Sequence, residues 1–508
     1  MRNWLTACLV AAASCGVAYA DDSLVGAAKS GDVAAAIALI DHGADVNAAS
    51  SDGTTPLMWA VHRDDVPLVD RLLARHANAK AVNAYGATAL TEAAVFGDTG
   101  VIRKLLAAGV DAEVPGADSQ TPLMIIARTS NVEAAELLLS HGAKVNAREK
   151  WRDQTALMWA AAESQPAMVK FLVRHGADVN AREIVNTGLR QVTSEPRVQA
   201  RPTGGLTALL YAARQGCDEC VRLLVEGRAD LNLADPDGVT PLLMATQNLH
   251  FDAAAYLLKK GADPNRWDWW GRAPLYAAVD VNTIPFGGRP DRISLDATSS
   301  LKLIEMLLAA GANPNAQLKL FPPYRALGPD RGADQMLTIG TTPLLRAAKA
   351  GDAPAIRLLL AHGANLELPN SAGITPLLAA AGIGSNDIDT RGHFKTSKDA
   401  TEAIQLLLTA GANINASDSL GRTALHGAAF WGWDDAVKVL VAHGGNVGAK
   451  DHKGMTPIDS AMGRAGGHGR GGVSPEVHQG TATLLEQLAQ NTSGAPTLPD
   501  AAQAKRTL

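Results

Sequence analysis

A short phrase recurs along the chain and limits what it can fold into. Thr55-Pro56-Leu57, Thr88-Ala89-Leu90, Thr121-Pro122-Leu123, Thr155-Ala156-Leu157, Thr207-Ala208-Leu209, Thr240-Pro241-Leu242, Ala273-Pro274-Leu275, Thr342-Pro343-Leu344, Thr375-Pro376-Leu377, Thr423-Ala424-Leu425 and Thr456-Pro457-Ile458 are variants of one motif. Successive copies lie 33 or 34 residues apart except where extra sequence intervenes. A period of that length belongs to stacked helix pairs, because one pair cannot bury its apolar face alone while neighbours can bury it together. The chain is therefore read as all-α, and its 508 residues need not divide into globular domains.

The stretch 342–373 shows one unit in full. Thr342 is placed to cap a helix and Pro343 stands in its first turn, where a missing N–H costs nothing. Leu344, Leu345, Ala347 and Ala348 give a short first helix with a small-residue back, and Gly351-Asp352 breaks it. Ala355, Ile356, Leu358, Leu359 and Leu360 give a second helix with an apolar stripe at helical spacing. His362-Gly363-Ala364-Asn365 ends it, glycine supplying the left-handed residue after the helix. The same closing phrase returns at His42-Gly43, His141-Gly142, His175-Gly176, Gly261, Gly311 and Gly411.

These residues resemble the ankyrin-repeat family over nearly the whole chain after the first twenty residues. The resemblance implies a solenoid of about twelve helix-turn-helix units over 21–490, with finger loops along one edge and first helices lining a groove. It also implies a protein partner held in that groove. The family's His at the fourth motif position is replaced by Met58, Met124, Met158, Leu210 and Leu345, and only His426 matches. Those units are expected to lean on apolar packing. Insertions at 183–205, 281–300, 317–339, 383–399 and 463–476 interrupt the array. Each is read either as part of a binding face or as decoration that a repeat array tolerates cheaply. Small and polar residues at 491–508 are expected to form a disordered tail.

Residues 1–20 are of another kind. Arg2 precedes a short apolar run, and Ala18-Tyr19-Ala20 has the small-x-small form of a signal-peptidase site. Cleavage between Ala20 and Asp21 is expected, since the run is shorter than the ~20 residues of a spanning helix. The expected location is a bacterial periplasm, with secretion or lipid anchoring through Cys15 as alternatives. No stable membrane insertion is expected after cleavage. Lys plus Arg number 46 against 51 Asp plus Glu, giving a net charge of −5, so no nucleic-acid surface is expected.

Aromatic residues make up only 4% of the chain, so clusters stand out. Arg266-Trp267-Asp268-Trp269-Trp270-Gly271 falls in a finger by register, and three exposed indoles with an arginine are what protein partners use as anchors. The alternative is that the rings fold back on the neighbouring insertions. Trp59, Trp159 and Tyr211 share the register after the motif's fourth position, where an aromatic groove floor competes with simple gap filling. Trp151 sits in another finger. Phe430, Trp431 and Trp433 flank a helix-to-helix turn, Trp431 read as exposed and Trp433 as core.

Cys217 and Cys220 are read as a local disulfide or an inert thiol pair, being close enough along a helix for a bridge that would contribute no more than about 2 kcal/mol from loop closure. Redox and haem readings lack their usual context, since Val221 follows the second cysteine where haem attachment requires His. The closing-phrase histidines His42, His76, His141, His175, His362 and His443 are explained by helix capping. The chain carries no Gly-x-Ser-x-Gly elbow, phosphate-binding loop or dinucleotide fingerprint. The reading is a monomeric, non-enzymatic scaffold for an unidentified protein, with no catalytic, metal or cofactor residues. A metal- or small-molecule-binding protein or enzyme built from the insertions is the alternative.

Overall fold

The computed structural model describes residues 23–116, 118–194, 197–282, 294–320, 338–385, 395–464 and 476–493, with 188–194, 197–200, 492 and 493 described through the backbone alone. Ala20, Asp21, the centres of four insertions and residues 494–508 lie outside these ranges.

Two compact units are present, one comprising Met1–Asn186 and Gly204–Asp235, the other Thr187–Thr203 and Pro236–Leu508. Among the described residues, the first holds six helix pairs. They are Leu24–Ser30 with Val33–Asp41, Pro56–His62 with Val66–Ala74, Ala89–Phe96 with Thr99–Ala107, Pro122–Ile126 with Val132–Ser140, Ala156–Ala162 with Pro166–Arg174, and Ala208–Gln215 with Asp218–Glu226. The second unit also holds six. They are Pro241–Gln247 with Phe251–Lys259, Pro274–Asn282 with Ser300–Ala309, Pro343–Ala350 with Ala353–Ala361, Pro376–Ala380 with Ser397–Thr409, Ala424–Phe430 with Asp434–Ala442, and Pro457–Ala461 with Gln479–Ser493. Within each unit, each first helix packs on its own second helix and on the next first helix.

The motif explains each start. Thr55 Oγ1 accepts the N–H of Met58 at 3.3 Å, Thr207 that of Leu210 at 3.2 Å and Thr342 that of Leu345 at 3.1 Å. Each bond satisfies one orphan donor of a helix N-terminus. Second helices are capped by Asp32, Asp98, Asn131 and Asp352. The motif leucines Leu57, Leu90, Leu123, Leu157 and Leu209 are buried, as are Leu68, Ile102, Leu138 and Leu172 on the second helices that pack on them. Each contributes about 1.5–3 kcal/mol by burial.

The closing phrase does two jobs. The Nδ1 atoms of His42, His141, His175, His362 and His443 bond the carbonyl four residues earlier at 2.7–2.9 Å, so the side chain itself caps the helix. His76 departs from the capping expectation. It occupies the slot that glycine fills elsewhere, with φ of 62°, and Arg228 does the same at 69°. Beyond the phrase, asparagines tie each loop to the next. Asn146 accepts the N–H of Asp178 at 2.8 Å and donates to Gly176 O at 3.0 Å. Asn265 treats Asn313 and Gly311 likewise, as Asn315 treats Asn365 and Gly363.

The 183–205 insertion is a two-stranded sheet of Val185–Ser194 and Arg197–Gly204, an addition to the all-α expectation. Two connecting residues leave only the antiparallel arrangement open. Gly204, at φ +82°, closes its base where an added Cβ would lie 2.3 Å from Ile184 O. The edges of other insertions also differ from the sequence reading. Helix Pro274–Asn282 enters the 281–300 segment, helix Ser397–Thr409 begins inside 383–399, and helix Gln479–Ser493 runs into the expected tail from Asn491. Two of these helices run on beyond the last apolar residue that marks the pattern, while Ser397–Thr409 starts early because Thr396 and Asp399 form a capping box at its N-terminus.

Candidate interaction surface

The fingers are built on one polar device. A residue at the finger base accepts two backbone N–H groups with a single side-chain oxygen. Asn83 Oδ1 takes Tyr85 and Ala87, Asn370 Oδ1 takes Ala372 and Ile374, and Asp451 Oδ1 takes Lys453 and Met455. Asp268 Oδ1 takes Trp270 at 3.0 Å and Arg272 at 2.9 Å, while its Oδ2 accepts Arg272 Nε at 2.6 Å. Asp268 is completely buried, and burial pushes its carboxyl above the ordinary value while the Arg272 guanidinium holds it down. Asp418 and Arg422 repeat the arrangement.

The geometry of the Trp finger follows from that base. Trp270 is buried, contrary to its expected place on the partner surface, and its carbonyl accepts Lys319 N at 2.9 Å. Gly271, at φ +85°, admits this strand of chain, since an added Cβ would stand 2.6 Å from Lys319 N. Trp267 is 49% exposed with Lys319 Nζ 3.2 Å from its ring centroid. Trp269 is 43% exposed and carries the Arg201 guanidinium at 3.8 Å. Arg201 also bonds Asp237 Oδ1 at 2.9 Å and Pro236 O at 2.8 Å, so the indole holds a cation brought by the hairpin. Arg266 is exposed. The rings thus meet the flanking insertions and still present faces to solvent.

In the first unit, the first helices expose a row of rings and cations. Trp59 is half-buried, with Lys29 Nζ 5.6 Å from its centroid and His62 edge-on at 5.7 Å. His62 meets Phe96 edge-on at 5.7 Å and lies 3.2 Å from Glu92 Oε2. Phe96 is 51% exposed. Farther along, Arg128 lies 4.8 Å over Trp159 and 3.6 Å from Glu163. The indole N–H groups of Trp59 and Trp159 are buried without a hydrogen-bond partner among the described residues. The sequence reading missed His62, Phe96 and Arg128. The signal was present, since each lies seven or eight residues after a motif threonine, one turn beyond the register that drew attention to Trp59.

Tyr211 does not join this row. It is buried, its hydroxyl donating to Glu183 Oε2 at 2.8 Å and accepting from Gln154 Nε2 at 2.7 Å. Burial, then the Glu183 charge, pushes its phenol pKa up. An acidic partner from the hairpin base drew the ring inward. Trp151 is 82% exposed at a finger tip. Trp431, expected at the surface, is half-buried, stacked on buried Trp433 at 6.0 Å and donating to Gly382 O at 3.0 Å. Cys217 and Cys220 form a disulfide at the start of helix Asp218–Glu226. Among the described residues, no group of three His, Cys, Asp or Glu is placed to hold a metal ion, and no helix is long and apolar enough to cross a membrane.

Stacked, capped helix pairs with finger loops define a repeat scaffold, and comparison with known proteins gives its family. The profile "Ankyrin repeats (3 copies)" matches residues 24–116, 92–183, 184–282 and 393–468, and "Ankyrin repeat" matches 339–371. The chain belongs to the ankyrin-repeat family. It is 29% identical over 194 residues to the mouse B-cell lymphoma 3 protein homolog, covering 37% of this chain and 35% of that protein. It is 29% identical over 181 residues to human ankyrin repeat and SOCS box protein 16, covering 34% and 40%. The chain thus spans well under half the length of these two relatives. A putative ankyrin repeat protein of Escherichia coli, YahD, is 26% identical over 189 residues, 35% of this chain and 90% of that one. The crystal structure of the human ASB11 ankyrin repeat domain matches 47% of this chain and 98% of its own at 24% identity, with a TM-score of 0.39. Ankyrin repeats are in general protein–protein interaction scaffolds and in general not enzymes.

Proposed function

We propose that this protein is an exported, monomeric scaffold that grips a protein partner with the first-helix face and the finger loops of its repeats. The observation that carries this reading is the row Trp59, His62, Phe96, Arg128 and Trp159, where large rings and cations stand at the surface of helices whose opposite faces already form the core. A stack already held together from behind has no need of those side chains for stability, and rings with arginine supply most of the energy of protein interfaces. Trp151 adds a finger contact in the first unit, and Arg266, Trp267 and Trp269 are proposed finger contacts of the second unit. Tyr211 and Trp270 leave the set because they are buried.

The test is competitive capture. Immobilised wild-type protein and a Phe96→Ala variant are exposed to the same periplasmic extract, and retained proteins are compared. A protein held by wild type and released by the variant at unchanged melting temperature supports the reading, with a loss of about 2 kcal/mol in affinity. Identical retained sets would sink it. Export rests on the first twenty residues. Amino-terminal sequencing of protein from the periplasmic fraction is expected to begin at Asp21. Recovery from culture fluid would establish secretion instead, and a modified Cys15 lipid anchoring.

A further inference from the structure

The pair Cys217 and Cys220 has no part in the surface described above. We propose that it is a thiol–disulfide exchange site, in which an incoming cysteine-type thiol attacks Cys217 and Cys220 is the sulfur that leaves. The inference does not depend on the partner reading.

The bridge makes a poor staple. It spans one turn at the start of helix Asp218–Glu226, with Cα atoms 5.2 Å apart. The helix already holds those two residues within a turn, so closing so small a loop removes little freedom from the unfolded chain. The helix also has anchors of its own. Val221 and Leu224 are fully buried, and the helix packs on Ala208–Gln215 and Pro166–Arg174. Opening the bond therefore leaves the repeat standing, which an exchange site requires and a structural crosslink does not.

Access to the two sulfurs is unequal. Cys217 is the N-cap residue, half-buried at the turn that follows Gly216, while Cys220 is completely buried on the core side. A thiol from solvent reaches only Cys217, and which sulfur is reachable decides the direction of exchange. The N–H of Cys220 points at Cys217 Sγ at 3.3 Å, leaving a donor in place for the sulfur after reduction. Asp218 and Glu219 in the first turn oppose a thiolate there, and Glu219 lies only 3.5 Å from the exposed Arg222.

The step balances with a thiol as its only co-reactant. A thiolate attacks Cys217 Sγ, the S–S bond breaks, and its electron pair passes to Cys220 Sγ, which takes up a proton. A mixed disulfide between Cys217 and the incoming sulfur remains. A second thiolate attacks that incoming sulfur, releasing a disulfide of the two thiols and leaving Cys217 and Cys220 as a dithiol. Run in reverse, the dithiol reduces a disulfide and the bridge re-forms.

The experiment uses full-length protein, with labelled sites located by peptide mass spectrometry so that Cys8 and Cys15 are read separately. In native Cys220→Ser protein, Cys217 is expected to react with iodoacetamide at least about tenfold faster than Cys220 does in native Cys217→Ser protein. Glutathione disulfide added to Cys220→Ser is expected to give a Cys217–glutathione adduct, and added to reduced wild type to restore the bridge. Wild-type protein reduced with dithiothreitol should melt within a few degrees of the oxidised form. Equal or reversed labelling, no adduct on Cys217, or collapse of the melting curve on reduction would each overturn the proposal.

Discussion

His426 shows how much one side chain can couple to solution conditions. Its Nδ1 accepts the N–H of Thr423 at 3.1 Å, so its Nε2 carries the proton and donates to Met455 O at 3.0 Å. The bond from Thr423 requires an unprotonated Nδ1, and burial lowers the ring's pKa, with Arg422 adding to the effect and the Met455 bond, Asp451 and Asp418 opposing it. The unfolded chain then binds a proton near pH 6.5 that the folded chain refuses. Stability from this ring is complete above that pH and is lost as pH falls toward the lowered folded value. His426→Gln is expected to flatten the fall in melting temperature between pH 7 and 5, relative to wild type. An unchanged slope would show that other groups set it. Asp268 is a different kind of residue. Asp268→Ala leaves Arg272 buried without its carboxylate and removes the acceptor of the finger's two N–H groups, a cost of about 3–5 kcal/mol in denaturant unfolding. Asn83→Ala removes a neutral acceptor and should cost only about 1–2 kcal/mol.

At the scale of elements, two second-helix ends carry strain that the other second helices avoid. His76 and Arg228 hold left-handed backbone where the other repeats use glycine. His76→Gly is expected to raise stability by about 1 kcal/mol, because a side chain in that region costs roughly 1–2 kcal/mol. A fall in melting temperature would mean the imidazole makes a compensating contact. The hairpin is the other element with a clear dependence. Trp269→Ala removes the ring under Arg201 while leaving the ion pair to Asp237. Amide exchange over 197–203 should quicken while the melting temperature moves little, a loss of about 1 kcal/mol confined to the hairpin. The hairpin is readable in principle, since Val185, Thr187, Val192 and Thr193 are strand formers ahead of Gly204-Gly205. A helical period on both sides makes the segment read as a loop. Trp431 and Tyr211 were misplaced for another reason. Register gives the face of a helix, but only neighbours supply the Gly382 carbonyl or the Glu183 carboxylate that turns a ring inward.

At the scale of the molecule, stability is passed between neighbours. Helix pairs within each unit touch mainly the pairs beside them. Leu138 is fully buried in the second helix of the fourth pair. Leu138→Ala should cost about 2–5 kcal/mol through transfer and cavity terms. The loosening should appear by hydrogen exchange in the adjacent pairs at 89–107 and 156–174 before the pair at 24–41. Uniform loosening of all six pairs would show that the unit melts as one block.

The sequence alone determined the period, the helix pairs, their caps and the residues of their cores, because those follow from spacing and local chemistry repeated in every unit. Tertiary structure decided which rings remain outside. Whether Trp269 meets Arg201, Trp270 sinks or Phe96 stays in solvent depends on groups far away in sequence. A thirty-three-residue pattern carries no record of what an insertion brings to the neighbouring surface.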